Sequence, residues 1–273
     1  MIILLGEIWL GMAICMTAGW WAQWRGGDGG WTDVFWTFAM GLVGAATAMA
    51  ARPGPPDLRQ VIIALLLGAY ALRLGSHILA RVRRGPEDPR YADLRSQWAP
   101  NAQKMVFGFL QAQAFAGALL LASVAAAARK ADPALGWRDG AGFLILIMAI
   151  AGESVADRQL RAFAADPAHR RQVCETGLWA WSRHPNYFFQ WLGWLAYPVI
   201  AVDVSGHDLW SWISISAPAY MYYLLRHVSG VPPLEAHMRA SRGQAFADYQ
   251  ARVSVFFPRL PKTGAAIPIK EPS

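Results

Sequence analysis

The densest group of chemically useful side chains in this sequence is Ser182-Arg183-His184-Pro185-Asn186-Tyr187. Its serine is a typical helix cap and its proline suits a first helical turn, so a helix is predicted to begin here. Backbone N–H groups at such a start, beside Arg183 and His184, predict an anion site, although His184 also fits a plain surface histidine. Asn186 both donates and accepts hydrogen bonds, as binding of a carboxamide such as nicotinamide requires.

A second group comprises Glu153, Asp157 and Arg161, which recur at intervals of four residues. This spacing places all three on one face of a helix. Carboxylates bind ribose hydroxyls and an arginine binds phosphate, so the mixture is compatible with a nucleotide ligand. Pairing of acid with base along the helix would satisfy the same residues without a ligand. The spacing alone leaves both interpretations open.

A third group lies near the C-terminus. Arg226 and His227 close the last long apolar run, and Val231-Pro232-Pro233 then opens a segment that reads to residue 253 as an amphipathic helix. Glu235 and Tyr249 lie on that segment. We expect it to rest on the cytosolic membrane surface.

Tyr70, Arg73, His77 and Arg81 follow one another at spacings of three, four and four, which defines a single helical face. A charge near the bilayer centre costs about 2.5–3.5 kcal/mol, so this face is predicted to look inward. At about 1.5 Å per residue, Tyr70 lies on the order of 16 Å deeper than Arg81. The stripe predicts a polar path to mid-membrane, or alternatively a set of inter-helix hydrogen bonds with snorkelling arginines.

Asp33 and Trp36 stand at the start of the second apolar run. An acid at a helix N-terminus can simply complement the helix dipole. If Asp33 instead lies in an apolar pocket, its carboxyl group could serve with the Tyr70 phenol around a substrate carbonyl.

These groups are separated by long apolar runs that must position them. The chain of 273 residues is 55% hydrophobic and 16% charged, more apolar than a soluble domain can hide. Backbone groups in lipid must be satisfied within each segment, which predicts transmembrane helices. Seven runs qualify: 2–22, 34–51, 60–80, 105–127, 140–157, 187–203 and 208–225.

Of the 25 Lys and Arg residues, 19 follow runs one, three, five and seven. The positive-inside rule therefore predicts an external N-terminus and a cytosolic C-terminus. We predict an all-α integral membrane protein with one domain over residues 1–262, its cofactor-binding part at about 105–262, and a flexible tail at 263–273. Scattered histidines and the absence of a GxGxxG motif argue against a metal site and a Rossmann domain.

Three segments carry a family resemblance: GLWAWSRHPNYFFQW from Gly177, LLRHVSGVPPLEAHM from Leu224 and FADYQARVSVFFPRLP from Phe246. They resemble the C-terminal domain of the steroid 5α-reductase family, especially its bacterial members. TDVFW around Asp33, Arg73-Leu74, and ED.RY at Glu87 to Tyr91 extend the resemblance over most of the chain.

The resemblance implies a reductase of Δ4-3-ketosteroids that uses NADPH from the cytosolic side of a bacterial inner membrane. By matching position, it implies cofactor contacts from Asn186, Arg226 and His227. It also places four residues beside the cofactor: Tyr187, Arg183, Asp157 and Tyr249. Tyr70 and Asp33 would hold the substrate ketone, with Arg73 and Trp36 as further substrate contacts. Where many members have a glutamate, this chain has Gln190.

Two other functions remain open. Isoprenylcysteine-type methyltransferases share the C-terminal pattern but bind S-adenosylmethionine, and a non-catalytic sterol- or lipid-binding membrane protein would also explain a structural polar stripe. Asp33 and the Tyr70–Arg81 stripe favour the reductase. We expect a steroid-like lipid substrate, membrane lipids as surroundings, no nucleic-acid partner and a monomer.

Overall fold

The computed structural model describes residues 2–26, 28–84, 91, 94, 96–170 and 172–260. Glu87–Arg90 and the predicted tail at 263–273 lie outside the described residues. The all-α prediction is confirmed, because 79% of the chain is helical and the described ranges contain no strand.

Five helices are long and apolar enough to cross a membrane. They are α1 (Ile2–Gly26), α2 (Trp31–Ala50), α3 (Leu58–Arg84), α4 (Ala102–Ala128) and α5 (Trp137–Ala165). They correspond in order to the first five predicted runs. Helices of this kind are the hallmark of a membrane protein, as the composition predicted.

The last two predicted runs take a different form. The sixth is α6 (Pro185–Ala201), a helix of 17 residues. The seventh is a 3-10 helix (Leu209–Ile215) followed by α7 (Ser216–Tyr223) and a π-helix (Leu224–Val228). The count of seven spans and their orientation therefore stay predictions. Beyond them lie α8 (Val231–Arg242) and α9 (Gln244–Arg252).

The chain divides into two compact units. The first unit draws on residues 1–147 and 194–221, and the second on residues 148–193 and 222–273. Asp33 and the Tyr70–Arg81 stripe belong to the first unit. The residues predicted to bind the cofactor, from Glu153 to Tyr249, belong to the second.

Within the first unit, α2 and α3 pack closely because small residues line their contact. A side chain at Gly41 would collide with Ala71, and one at Gly44 would collide with Leu67. Nearer the start of α2, a Cβ at Gly30 would lie 2.7 Å from Val82. These three contacts define an antiparallel register in which the beginning of α2 faces the end of α3.

A buried ion pair joins the starts of α3 and α5. The Arg59 Nε donates to Asp139 Oδ1 at 2.6 Å, and both side chains are fully buried. The Arg59 guanidinium also donates to the carbonyls of Asp132 and Ala134, each at 2.7 Å. Lys130 Nζ donates to the same carboxylate at 3.1 Å. Nothing in the spacing of these residues along the chain predicts the pair.

Candidate functional site

Glu235, near the start of α8, is the centre of the polar network in the second unit. Its Oε1 accepts from Arg183 Nε at 2.7 Å and lies 3.0 Å from His184 Nε2. Its Oε2 accepts from Gln250 Nε2 at 2.7 Å. One carboxylate thus joins the segment before α6 to both C-terminal helices.

Arg183 is fully engaged in this network. Besides Glu235, its Nη1 donates to the carbonyls of Gln250 at 3.1 Å and Val253 at 2.6 Å. Its backbone N–H donates to Ser254 O at 2.8 Å. The sequence predicted Arg183 as a cation for a bound anion, whereas its charge is paired with a carboxylate and its donors are directed to the C-terminal segment.

Tyr249, another predicted cofactor neighbour, lies in the core of the second unit with Phe246 and Val253. It is 2% exposed, and its hydroxyl donates to Trp179 O at 2.6 Å. Burial is the main reason that the pKa of Tyr249 is raised. The hydroxyl is therefore a neutral donor that fixes the turn leading to Ser182.

His184 is 3% exposed and stacks on Tyr187, with ring centroids 5.3 Å apart. Burial lowers the pKa of His184, although the hydrogen bond and charge of Glu235 oppose this. For Glu235, burial acts to raise the pKa, but hydrogen bonds from His184 and Arg183 outweigh it and lower the pKa to about 2. A neutral imidazole that donates from Nε2 to an ionised Glu235 agrees with the lowered pKa of both residues.

That tautomer leaves the second ring nitrogen of His184 as an acceptor. Among the described residues, this buried Nδ1 has no hydrogen-bond partner. A buried acceptor of this kind costs about 1–3 kcal/mol when it stays unpaired. A hydrogen-bond donor on a ligand would remove this cost.

The acidic face of α5 meets the first turn of α6. Asn186 Nδ2 lies 3.5 Å from Asp157 Oδ1, and Asn186 Oδ1 accepts from the Tyr187 N–H at 3.0 Å. Glu153 lies one helical turn before Asp157 and is also buried, whereas Arg161 is exposed. The structure thus brings together two buried carboxylates and a carboxamide that the sequence had placed in separate groups.

Arg226 and His227 lie on the π-helix Leu224–Val228. The widened turn ends at Gly230, where a Cβ would collide with the Leu225 carbonyl. Arg226 is close enough to His184 for its charge to depress the pKa of that imidazole further. His227 is exposed and stacks against Tyr223. Single π-helical turns are frequent at functional sites.

In the first unit, Asp33 has a partner that the sequence analysis quoted but gave no role. The hydroxyl of Tyr91 donates to Asp33 Oδ1 at 2.7 Å. Arg81 Nη2 lies 3.8 Å from Asp33 Oδ2. Nothing in the local spacing signals a hydrogen bond between residues 58 positions apart.

Tyr70 lies deeper along α3 than this group. The register set by Gly30 with Val82 and Gly41 with Ala71 separates Asp33 from Tyr70 by about nine positions, on the order of 13 Å. Antiparallel packing therefore sets the two residues at different depths along the helices. Trp36, one turn beyond Asp33, faces α4 at Gly117. Tyr70 and Arg73 are half-buried.

A family model described as "Protein of unknown function (DUF1295)" matches residues 19–253. The chain belongs to the DUF1295 family. This family falls in the steroid 5-alpha reductase-like group. Searches of curated proteins and of solved structures found no match.

The DUF1295 match covers both groups of candidate residues, from Asp33 to Tyr249. Membership agrees with the resemblance seen in the sequence at the level of the group. It assigns no reaction, because the DUF1295 description gives no function. The chemistry must be argued from the side chains.

Proposed function

We propose that this DUF1295 protein is a membrane reductase that uses NADPH to reduce the carbon–carbon double bond of an apolar, steroid-like enone. The second unit would bind the cofactor, and the first would bind the ketone. The grouping with steroid 5-alpha reductase-like families supports the proposal. The buried acid and amide side chains of the second unit carry it.

Glu153 and Asp157 are 3% and 7% exposed on a helix apolar enough to cross a membrane. Carboxylates in such a place are expensive and are usually functional. With Asn186 beside Asp157, they offer acceptors for ribose hydroxyls and a donor–acceptor pair for a carboxamide. This set of groups fits a nicotinamide nucleoside and is the single observation on which the proposal depends.

The other groups of the second unit fit the same ligand. Glu235 neutralises Arg183, so we assign the phosphate contact to Arg226 and its neighbour His227. Asn186 and Tyr187 would orient the nicotinamide ring, and His184 Nδ1 would accept from the bound nucleotide. NADPH, when bound, supplies the hydride.

For the ketone, we assign Tyr70 as hydrogen-bond donor to the carbonyl oxygen and Arg73 as the neighbouring positive charge. Charge develops on that oxygen as hydride reaches the β-carbon, so a donor there stabilises the transition state. Asp33 would supply the proton that the α-carbon takes up. Tyr91 and Arg81 would hold Asp33 for that task.

The topology completes the proposal. We propose seven spans, with α6 and the 209–228 segment added to the five long helices, an external N-terminus and a cytosolic C-terminus. We also propose that the protein is a monomer in the inner membrane of a bacterial cell. Its partners would be the substrate and the surrounding lipid, without nucleic acid.

The test is NADPH consumption by the purified full chain in detergent with a Δ4-3-ketosteroid, and the mass of the product. A gain of two hydrogens that disappears in Asn186→Ala and Tyr70→Phe supports the reductase. If Tyr70→Phe keeps wild-type turnover, Tyr70 is not the hydrogen-bond donor to the ketone. Binding of S-adenosylmethionine without NADPH consumption would indicate a methyltransferase, and sterol binding without turnover a non-catalytic protein.

A further inference from the structure

Three side chains at one end of the first unit have buried polar atoms without hydrogen-bond partners. These atoms are Gln23 Oε1 on α1, Thr32 Oγ1 on α2 and Gln103 Oε1 on α4, and none has a hydrogen-bond partner among the described residues. Gln23 and Thr32 are each 1% exposed. Such atoms are unusual, because buried polar atoms are normally paired.

Helix packing places Gln23 and Thr32 at the same level. A Cβ at Gly19 would lie 2.8 Å from Phe35, and one at Gly26 would lie 3.6 Å from the Trp31 ring. Gln23 stands midway between these two glycines on α1, and Thr32 stands between the two aromatic residues on α2. Gln23 also continues the buried face of α1.

Helix α4 brings Gln103 to this level as well. Trp20 Nε1, one turn before Gln23, donates to the backbone carbonyl of Gln103 at 3.1 Å. Gln111 Nε2 donates to Thr17 Oγ1 at 3.2 Å, so α1 and α4 run antiparallel. Moving from Trp20 towards Gln23 therefore leads towards the beginning of α4, where Gln103 lies.

The hydroxyl of Thr32 departs from the behaviour of other hydroxyls in these helices. Thr37, Ser123 and Ser154 each donate to a carbonyl of the preceding turn, at 2.8, 2.8 and 2.6 Å. Thr32 does not. Its hydroxyl group is available to a ligand as donor or acceptor, and the two glutamine oxygens are available as acceptors.

We propose that Gln23, Thr32 and Gln103 form a subsite that binds a hydroxyl group of the lipid substrate. A ligand hydroxyl can donate to one glutamine oxygen and accept from the Thr32 hydroxyl, whereas a ketone can only accept. The substrate class is then a hydroxylated steroid-like enone, a statement that rests on the proposed reductase function. Hydroxyl recognition itself is measured by binding and needs no turnover.

The first experiment uses three steroids that share a ketone on the first ring and carry hydroxyl, ketone or hydrogen on the fourth. Their Kd values for the full chain in detergent are measured by quenching of tryptophan fluorescence. The hydroxyl steroid should bind about 10-fold more tightly than the other two, as one buried hydrogen bond provides. Equal Kd values, or no binding of any of the three, would overturn the subsite.

Variants locate the preference. In Gln23→Leu and Thr32→Val, the preference should fall to about 2-fold or less while the Kd of the hydrogen-bearing steroid stays within about 2-fold of wild type. Gln111→Leu is the matched control, since Gln111 lies on α4 with Gln103 but donates to Thr17. A preference that survives in both subsite variants, or that Gln111→Leu abolishes equally, contradicts the assignment.

Turnover separates this proposal from the reductase. A hydroxyl preference in Kd without NADPH consumption supports the subsite and refutes the reductase. Reduction of all three steroids with equal KM and equal Kd refutes the subsite and supports the reductase. If the three polar atoms bind only buried water, the three steroids should bind with equal Kd values, which also refutes the subsite.

Discussion

Arg59 and Asp139 form a salt bridge of 2.6 Å in which neither side chain is exposed to solvent. Carbonyl oxygens of the α4–α5 connection take further guanidinium donors, so the positive charge is paired and hydrogen-bonded on several sides. A buried pair of this kind stabilises relative to its broken form, because removal of one partner leaves an unpaired buried charge.

Replacement of one partner should therefore destabilise strongly. Arg59→Met is expected to lower the free energy of unfolding by about 3–5 kcal/mol, measured by denaturation in detergent. The double variant Arg59→Met with Asp139→Leu should recover much of that loss, since neither fully buried charge remains and Lys130, which also donates to Asp139, is partly exposed. Arg52→Met is the control, because Arg52 is partly exposed where it pairs with Asp57. Equal losses in Arg59→Met and Arg52→Met would contradict this account.

Acid should weaken the second unit in two stages. The pKa of His184 is lowered in the folded protein, so the unfolded chain binds the proton more tightly and stability falls as the pH drops below about 6.5. Glu235 stabilises fully above its ordinary value of 4.5, and its contribution is lost as the pH falls towards 2. The midpoint of thermal unfolding, followed from pH 7 to pH 3, tests both stages.

The first stage should disappear in His184→Gln and persist in His237→Gln, since His237 is exposed on α8. If His184→Gln keeps the wild-type dependence between pH 7 and pH 5, another group titrates there.

Loss of the Tyr91 hydroxyl should affect turnover through Asp33. In Tyr91→Phe, kcat for the enone is expected to fall by about 10-fold, the loss expected for one hydrogen bond, with KM nearly unchanged. The solvent isotope effect should rise as proton supply becomes slower. Tyr220→Phe serves as control. A change confined to KM would show that Tyr91 shapes the pocket instead of positioning Asp33.

Arg226 should determine the preference for the phosphorylated cofactor. Arg226→Gln is expected to raise KM for NADPH by about 10-fold or more and to leave KM for NADH within about 2-fold, because only NADPH carries the extra phosphate. Arg259→Gln, an exposed arginine of the same unit, should change neither value. A parallel rise for both cofactors would place the phosphate contact elsewhere.

The length of the apolar runs predicted the long helices, because a run of about twenty apolar residues in lipid has few alternatives to a helix. Spacing also grouped Glu153 with Asp157, since an interval of four residues is a local property of a helix. The change from 3-10 to α to π geometry between residues 209 and 228 was not predictable, because apolar composition alone does not distinguish these turns.

Contacts between distant residues were equally inaccessible. Arg183 looked like an anion ligand until folding brought Glu235, 52 residues away, onto its guanidinium. Asp33 and Tyr70 lie at different depths because the depth of a residue depends on the register of the two helices. Such registers are fixed by small residues such as Gly41 and Gly44, whose importance is visible only once the neighbouring helix is known.

The backbone bonds between residues 181–183 and the C-terminal segment have a consequence for synthesis. Ser182 Oγ donates to the carbonyl of Phe256, 74 residues later, and the Arg259 N–H donates to Trp181 O. A ribosome must therefore deliver nearly the whole chain before the segment preceding α6 acquires its partners. A chain truncated before Glu235 would leave Arg183 without the carboxylate that neutralises it.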